Sequence, residues 1–383
     1  MKGSGVALVL TDEQAMIRDS ADGFFAEKAP VSELRRLRDA RDETGFSREL
    51  WKAMAEMGFA GILVPEAQGG VGLGYVAAGL VQEAIGRNLT SSPMLSTAIL
   101  GATAVIAGGS DEQKAALLPQ IAGGDLLLAL AAEEKSRHAP NHVETRAEPS
   151  GNGFKLTGRK TFVLDGHVAD KLIVAARTDG EVGDTQGITL FLVDRNAEGV
   201  ATERTIMVDS RNAARINLDR VQVDGADVLG EVGGGWPVLE RVLDAGRACL
   251  AAEMLGVSSE SFRMTVDYLK QREQFGVKIG SFQALQHRAA HLFCEIELVR
   301  SATLRALQAL DEGGNAALFV SLAKGKAGEV AKLATNEAVQ MHGGIGMTDE
   351  FDIGFFMKRA RAAIETFGDV AFHGDRMARM MGY

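Results

Sequence analysis

YLKQREQFGVKIGSFQALQHRAA, residues 268–290, is the stretch from which this chain is best read. Tyr268 to Gln271 have the spacing of a helix end, and Phe282 to Ala290 that of a helix start. Between them stand Arg272, Gln274, a Phe275-Gly276 pair and a short polar link ending in Phe282-Gln283. The break gathers a guanidinium, an aromatic face and two side-chain amides around one corner. The plain reading is that Phe275 and Phe282 fill a core and Arg272 pairs with a nearby acid. The other is a binding corner. What lies on either side decides between them.

Downstream of Gly233-Gly-Gly-Trp-Pro237 the pattern is helical to the C-terminus, and Pro237 suits a first helical position. Leu239, Val242, Leu243, Leu250 and Met254 form an apolar stripe. Four long amphipathic segments, about 237–272, 281–312, 315–341 and 350–382, predict a bundle. Upstream, from Leu126 to about Val228, the texture is β: GFKLTGRKTFVL, KLIVAAR, GITLFLVD and the alternating INLDRVQVDG, separated by Gly, Asp and Asn turns. The first 125 residues read as helices, beginning with the capping box Thr11-Asp-Glu-Gln14. The expected fold is therefore α+β multidomain. It comprises an N-terminal all-α domain (1–125), a middle antiparallel β-domain (126–230) and a C-terminal four-helix bundle (231–383). No βαβ alternation occurs, and the glycines of Gly61–Gly74 do not lead from a strand into a helix, so a dinucleotide fingerprint is weak.

With 383 residues, 46% hydrophobic and 24% charged, the chain can bury a large core. Its longest apolar runs, including Gly5–Leu10 and Leu126–Ala132, are far shorter than the ~18 residues of a membrane span. The N-terminus lacks a signal-peptide pattern. A net charge of −10 argues against nucleic acid as partner. The basic cluster Arg35–Arg41 reads as a solvated helix face. Two cysteines, Cys249 and Cys294, make no disulfide framework, have no activating partner and read as core; a reducing cytoplasm is the expected home. His287 and His291 have zinc-like helical spacing but no following Glu and no third ligand, so no metal is expected.

The helix–β–helix order, together with R-x-Q-F-G-x-x-I-x-x-F-Q-x-x-Q (Arg272–Gln286) and QMHGGIGMTDE (Gln340–Glu350) about 70 residues later, resembles the acyl-CoA dehydrogenase family over essentially the whole chain. The VPEAQGG loop and Ser110–Asp125 fit as well. The resemblance implies FAD as cofactor, an acyl-CoA thioester as substrate and a trans-2-enoyl-CoA as product. A carboxylate takes the α-proton while the β-hydrogen leaves as hydride to the flavin, and an electron-transferring flavoprotein takes the electrons. It also implies a tetramer, homomeric or heteromeric, because this corner binds the FAD diphosphate and adenine of a neighbouring subunit. Those contacts carry over to Arg272, Gln274, Phe275, Gln283, Gln340, Gly343 and Gly344. A forked guanidinium suits a diphosphate, and glycines allow close backbone approach.

The rest of the family pattern is eroded. The usual base, a Glu in a Glu-Gly-Thr, aligns with Phe367 when Gly368 is matched. A second branch places its base before an Arg that matches Arg247, which makes the base position Gly246. Neither holds a carboxylate. Substitutes are Glu365, two residues before Phe367; Glu253, seven residues after Gly246 and so about 10 Å further along the helix; and the short Asp369. For each, an exposed or paired helix carboxylate is the plainer reading. The Thr-Glu-Pro…Gly-Ser-Asp loop becomes Ala132-Glu-Glu134 and Arg137-His-Ala139. The Trp-x-Thr flanking the flavin ring becomes Phe162-Val-Leu164, in which Phe162 can still stack. Three readings remain open: a dehydrogenase with an unusual base, a subunit of a heteromeric dehydrogenase for bulky or steroid CoA esters, and a flavin-free CoA-ester-binding relative. The flavin monooxygenases that share the fold are a further enzyme class.

Overall fold

The computed structural model describes residues 7–383; Lys2 and the first two residues of the Gly5–Leu10 run lie outside that range. The N-terminal region contains α1 (Asp12–Lys28), α2 (Val31–Asp39), α3 (Arg48–Glu56), α4 (Gly74–Asn88), α5 (Ala102–Gly108) and α6 (Asp111–Ala122). The Thr11/Gln14 capping box forms as expected, and Ser110/Gln113 makes a second one. Ahead of α5, the buried stretch Met94–Gly101 is wound as a π-helix, a rare conformation that recurs near functional sites.

The middle region is one twisted sheet in the order β6-β7-β3-β2-β4-β5-β8. Its strands are β1 (Leu128–Ala131), β2 (Arg146–Ser150), β3 (Gly153–Leu164), β4 (Lys171–Arg177), β5 (Ile188–Asp194), β6 (Val200–Ile206), β7 (Asn212–Asp224) and β8 (Val228–Leu229). Most pairs are antiparallel, but β1 runs parallel to β4, and β2 meets β4 in parallel at Arg146 and Arg177. The period-two pattern splits its side chains as side-chain alternation requires. Leu156, Val163, Leu172, Phe191 and Ile216 build a core within the sheet. Ile173, Ala175, Leu190 and Leu192 face the helices and join their core.

The helical C-terminal region is built on α7 (Trp236–Gln271), followed by the hairpin β9–β10 (Glu273–Gln274, Val277–Lys278), α8 (Gln283–Asp311) and α9 (Ala317–His342). The expected fourth segment, 350–382, is two helices: α10 (Ile353–Glu365) and α11 (Val370–Met380). Phe367 and Gly368, both at positive φ, break it. The glycines Gly86 of α4 and Gly256 of α7 bring these helices together backbone to backbone. A Cβ on either would lie 2.1 and 2.0 Å from the carbonyl oxygens of Glu253 and Glu83, so no side chain fits between them.

Two further expectations change. Cys249 is buried, but Cys294 is exposed on α8, because its turn of the helix faces outward. The basic cluster on α2 is not simply solvated: Arg35 and Arg38 reach across to Asp349, Asp352 and the Phe355 ring. Among the described residues no helix is long and apolar enough to cross a membrane.

Candidate active site

Both family base positions meet at one point. A Cβ on Gly246 of α7 would lie 2.7 Å from Leu100 and 3.0 Å from the Phe367 ring. The α10–α11 break that carries Phe367 is held from three sides. The fully buried Lys324 of α9 donates to the Ile364 and Gly368 carbonyls at 3.0 Å each. Arg247 Nε donates to the Phe367 carbonyl at 3.1 Å. Asp369 accepts from the Phe372 amide at 2.7 Å and so caps α11, which accounts for that carboxylate. The Phe367 benzyl ring fills the space in which either family carboxylate would project.

Arg247 is buried and fully engaged. Besides Phe367 it donates to Asp244 Oδ1 at 2.8 Å and to His138 Nε2 at 2.7 Å, and it lies 5.4 Å from the Phe372 ring centre. Because Arg247 can only donate, His138 Nε2 must accept, and its Nδ1–H donates to Glu133. The imidazole is thus neutral. Burial holds it below the usual histidine range, with the charges of Arg247 and Lys324 adding to the effect against the pull of Glu133. The ring packs edge-on against Phe372 at 4.7 Å and lies 6.4 Å from Phe367. His138, Phe367, Phe372 and Arg247 form a plug between two hollows. One, of about 140 Å³, is lined by Phe162, Thr161, Glu133, Lys135 to His138, Glu365 and Phe367. The other, of about 290 Å³, is lined by Trp236, Arg247, Phe372, Arg376 and Arg379 among others. Both fall below the roughly 300 Å³ at which ligand pockets usually begin.

The two candidate bases part company. Glu365 is exposed, makes no ion pair among the described residues and faces the smaller hollow beside Phe162. Glu253 is fully buried in a charge cluster that joins four elements. It receives Gln82 at 3.0 Å, Arg211 at 3.1 Å and Arg359 at 3.2 Å, while Asp209 binds the same two arginines at 2.7 and 2.9 Å. Both of its oxygens are committed to the joint between helices and sheet, so it is no free base. Nearby, Glu134 turns inward onto the buried Lys160 at 2.6 Å. Burial raises this carboxylate, but Lys160 and its other donors outweigh burial and keep it below the usual range. Leu164 is buried and Phe162 sits at positive φ on a β3 bulge.

The opening corner behaves otherwise. Phe275 and Gly276 turn the β9–β10 hairpin with φ of 56° and 78°, the twist-matched two-residue form. Phe275 is 92% exposed, with Phe282 edge-on at 6.2 Å, and neither fills a core. Arg272, Gln274 and Gln283 are exposed, and Arg272 has no acidic partner among the described residues. At the end of α9, Gln340, Gly343 and Gly344 are exposed; a Cβ on either glycine would meet nothing within 4 Å. Beneath them His342 is buried between Tyr268 at 4.5 Å and Phe351 at 4.8 Å, and its Nε2 has no partner among the described residues. This exposed guanidinium, aromatic and glycine surface fits the anionic end of a dinucleotide. The hollow beside Phe162 is the smaller of the two that flank the plug.

The family profiles described as acyl-CoA dehydrogenase N-terminal, middle and C-terminal domain match residues 11–125, 129–221 and 233–382. The chain belongs to the acyl-CoA dehydrogenase family. It is thereby an oxidoreductase of the CH–CH class, with FAD as cofactor and acyl-CoA dehydrogenation as the family reaction. This acyl-CoA dehydrogenase homologue is 33% identical over 357 residues to a 3-(aryl)acrylate reductase of Clostridium sporogenes, covering 90% of this chain and 92% of that one. Among solved structures it is similar to the steroid ACAD Tcur3481-Tcur3483, in a variant form. That match has TM-score 0.88 and 31% identity, covering 97% of this chain and 98% of that one. It is also similar to the ChsE4-ChsE5 complex of Mycobacterium tuberculosis, with TM-score 0.90 and 26% identity, covering 98% of this chain and 99% of that one.

Sequence reasoning missed Lys324, Arg211, Asp209 and Arg359. One signal was available for Lys324: it lies on the otherwise apolar stripe Val320, Ala323, Ala327 and Ala331 of α9. The partners of Glu253 come from distant segments and left no local pattern.

Proposed function

We propose that this chain is the supporting subunit of a heteromeric acyl-CoA dehydrogenase for bulky CoA esters of the steroid class. In this reading its Arg272, Gln274, Phe275, Gln283, Gln340, Gly343 and Gly344 hold the diphosphate and adenine end of an FAD whose ring lies in a sister subunit. The sister carries the glutamate that takes the α-proton. FAD, when bound, supplies the acceptor for the β-hydride, and an electron-transferring flavoprotein receives the electrons. The observation that carries the reading is the Phe367 ring packed on Gly246: the proton-abstracting carboxylate is missing from both family positions, and its space is filled. The exposed, unpaired Arg272 corner supports the other half. Two similar structures bear two-component names, and one is called a steroid ACAD.

The test is to purify the full chain alone and with a sister subunit that has the glutamate, then record visible spectra before and after anaerobic addition of acyl-CoA thioesters. The chain alone should carry little flavin and not bleach. The pair should hold flavin, bleach with a bulky thioester, and lose most of its flavin when this chain carries Arg272→Ala. A yellow, thioester-bleached chain on its own sinks the proposal. That result would favour the second reading, a homo-oligomer with Glu365 as base, which rests on Glu365 facing the hollow beside Phe162; Glu365→Gln would then abolish bleaching.

A further inference from the structure

The turn that carries Gly343 and Gly344 is held by its own helix bundle and, at its far end, by a helix of the N-terminal region as well. At its start, His342 is wedged between Tyr268 and Phe351, and its Nδ1–H donates to the Ala338 carbonyl at 2.7 Å. At its far end, Asp349 to Asp352, Phe351 supplies the ring that packs on His342, while the two aspartates reach α2. Asp352 occupies the N-cap position of α10 yet makes no capping bond. Its carboxylate goes to Arg35 instead, with Nε at 2.8 Å and Nη2 at 2.7 Å. Arg38 grips Asp349 with both terminal nitrogens, at 2.6 and 2.8 Å. The two guanidiniums stand 4.4 and 4.9 Å from the Phe355 ring centre. Arg35 and Arg38 are three residues apart on α2 and so share a face, while Leu34 and Leu37 anchor α2 in the helical core.

From this geometry we infer that Arg35 and Arg38 are positioning residues for the flavin-diphosphate surface: the N-terminal helix α2 clamps the turn whose glycines that surface presents. The inference rests on the assignment of Arg272, Gln340 and Gly344 to FAD. Charge pairs this exposed contribute little to global stability. α2 keeps its place through Leu34 and Leu37 whether or not the clamp forms. The loss on breaking it falls on the turn, where a fork with two parallel bonds sets direction as well as distance.

The test uses the full-length chain in its purified assembly with the sister subunit, stripped of flavin and titrated with FAD by flavin fluorescence. Arg35→Gln with Arg38→Gln should weaken FAD binding by roughly fivefold, with the thermal midpoint of the apo assembly unchanged. The exchanged pair Arg38→Asp with Asp349→Arg should recover at least half of that loss. Arg272→Ala serves as the reference and should weaken binding more. Wild-type affinity in the double glutamine variant, with Arg272→Ala impaired, overturns the clamp alone. Wild-type affinity in Arg272→Ala overturns the surface assignment and the clamp with it. If the glutamine variant fails to assemble, the exchanged pair decides: no recovery of FAD affinity counts against the clamp.

Discussion

Phe275 and Phe367 share a backbone conformation and differ in everything else. Both sit in the left-handed region, at φ of 56° and 57°, which costs a bulky side chain roughly 1–2 kcal/mol. At Phe367 the surroundings over-determine the strain, a pattern that concentrates at functional sites; at Phe275 the two-residue hairpin turn demands it. At Phe275 the strained turn thrusts a ring into solvent at 92% exposure beside an unpaired arginine. At Phe367 it drives a ring inward to 7% exposure, onto a glycine, beneath a lysine and an arginine that satisfy the surrounding carbonyls. The first region spends its strain on presenting groups to something outside the chain. The second spends it on closing a cleft. Under the proposed function, the first region is the half of a flavin site offered to a neighbour and the second is the half this chain does without.

The inward region can be broken hardest at Glu253. Its carboxylate and that of Asp209 balance two buried guanidiniums, and Glu253→Ala leaves a buried positive charge uncompensated. The expected loss is about 3–5 kcal/mol of unfolding free energy, read as a lower urea midpoint with little change in slope. A loss under about 1 kcal/mol would show that water or a shifted partner reaches the cluster. The same substitution tests its assignment: a base that acted on substrate would cost activity at full stability, and Glu253 should not behave so.

Next in size is Lys324, which holds the Phe367 break. Burial, with the Arg247 charge adding and Glu365, Asp369 and Glu253 opposing, pushes its amine down to about 7. In the unfolded chain the amine takes its ordinary value near 10.4. Between those values the unfolded state binds more protons, so this group makes stability rise as pH climbs from about 7 toward 10. Below pH 7 both states are protonated, and the cost of burying the charge is present in full. Lys324→Met should flatten that rise in the stability-versus-pH curve between 7 and 10, while leaving the Ile364 and Gly368 carbonyls without their donor. Parallel curves for variant and wild type would place the titration elsewhere. His373, packed beside the break, is held neutral chiefly by burial, so it adds no slope across this range.

What was legible in the sequence follows the range of the forces involved. Helical periodicity, capping boxes and the alternation of INLDRVQV depend on neighbours within a few residues, and they placed most helices and the longer strands. Short β1 and β2 lacked enough residues to show a period, and β6, without a buried residue along its length, offered no apolar run. The break at Phe367 was hidden because a phenylalanine gives no local warning of positive φ; only the alignment of Gly368 marked the place. The Arg272 corner was legible because its residues are close in sequence. The plug was not, since Glu133, His138, Arg247, Phe367 and Phe372 come from three regions. The same holds for α2, where a basic run looks solvated until its acidic partners, more than three hundred residues away, are brought alongside.

The smallest expected effect is the most discriminating. Glu365 is exposed and makes no ion pair among the described residues, so Glu365→Gln should move stability by no more than about 0.5 kcal/mol. With packing and folding undisturbed, any change it causes in flavin chemistry reports on chemistry alone. In the assembly with a sister subunit the variant should bleach with thioester at the wild-type rate if, as proposed, the sister supplies the base. A bleaching rate that falls a hundredfold or more, the scale of a lost general base, would make Glu365 that base. It would also mean that the plug at Phe367 opens, and that the closed cleft and the open corner serve the same reaction in one chain.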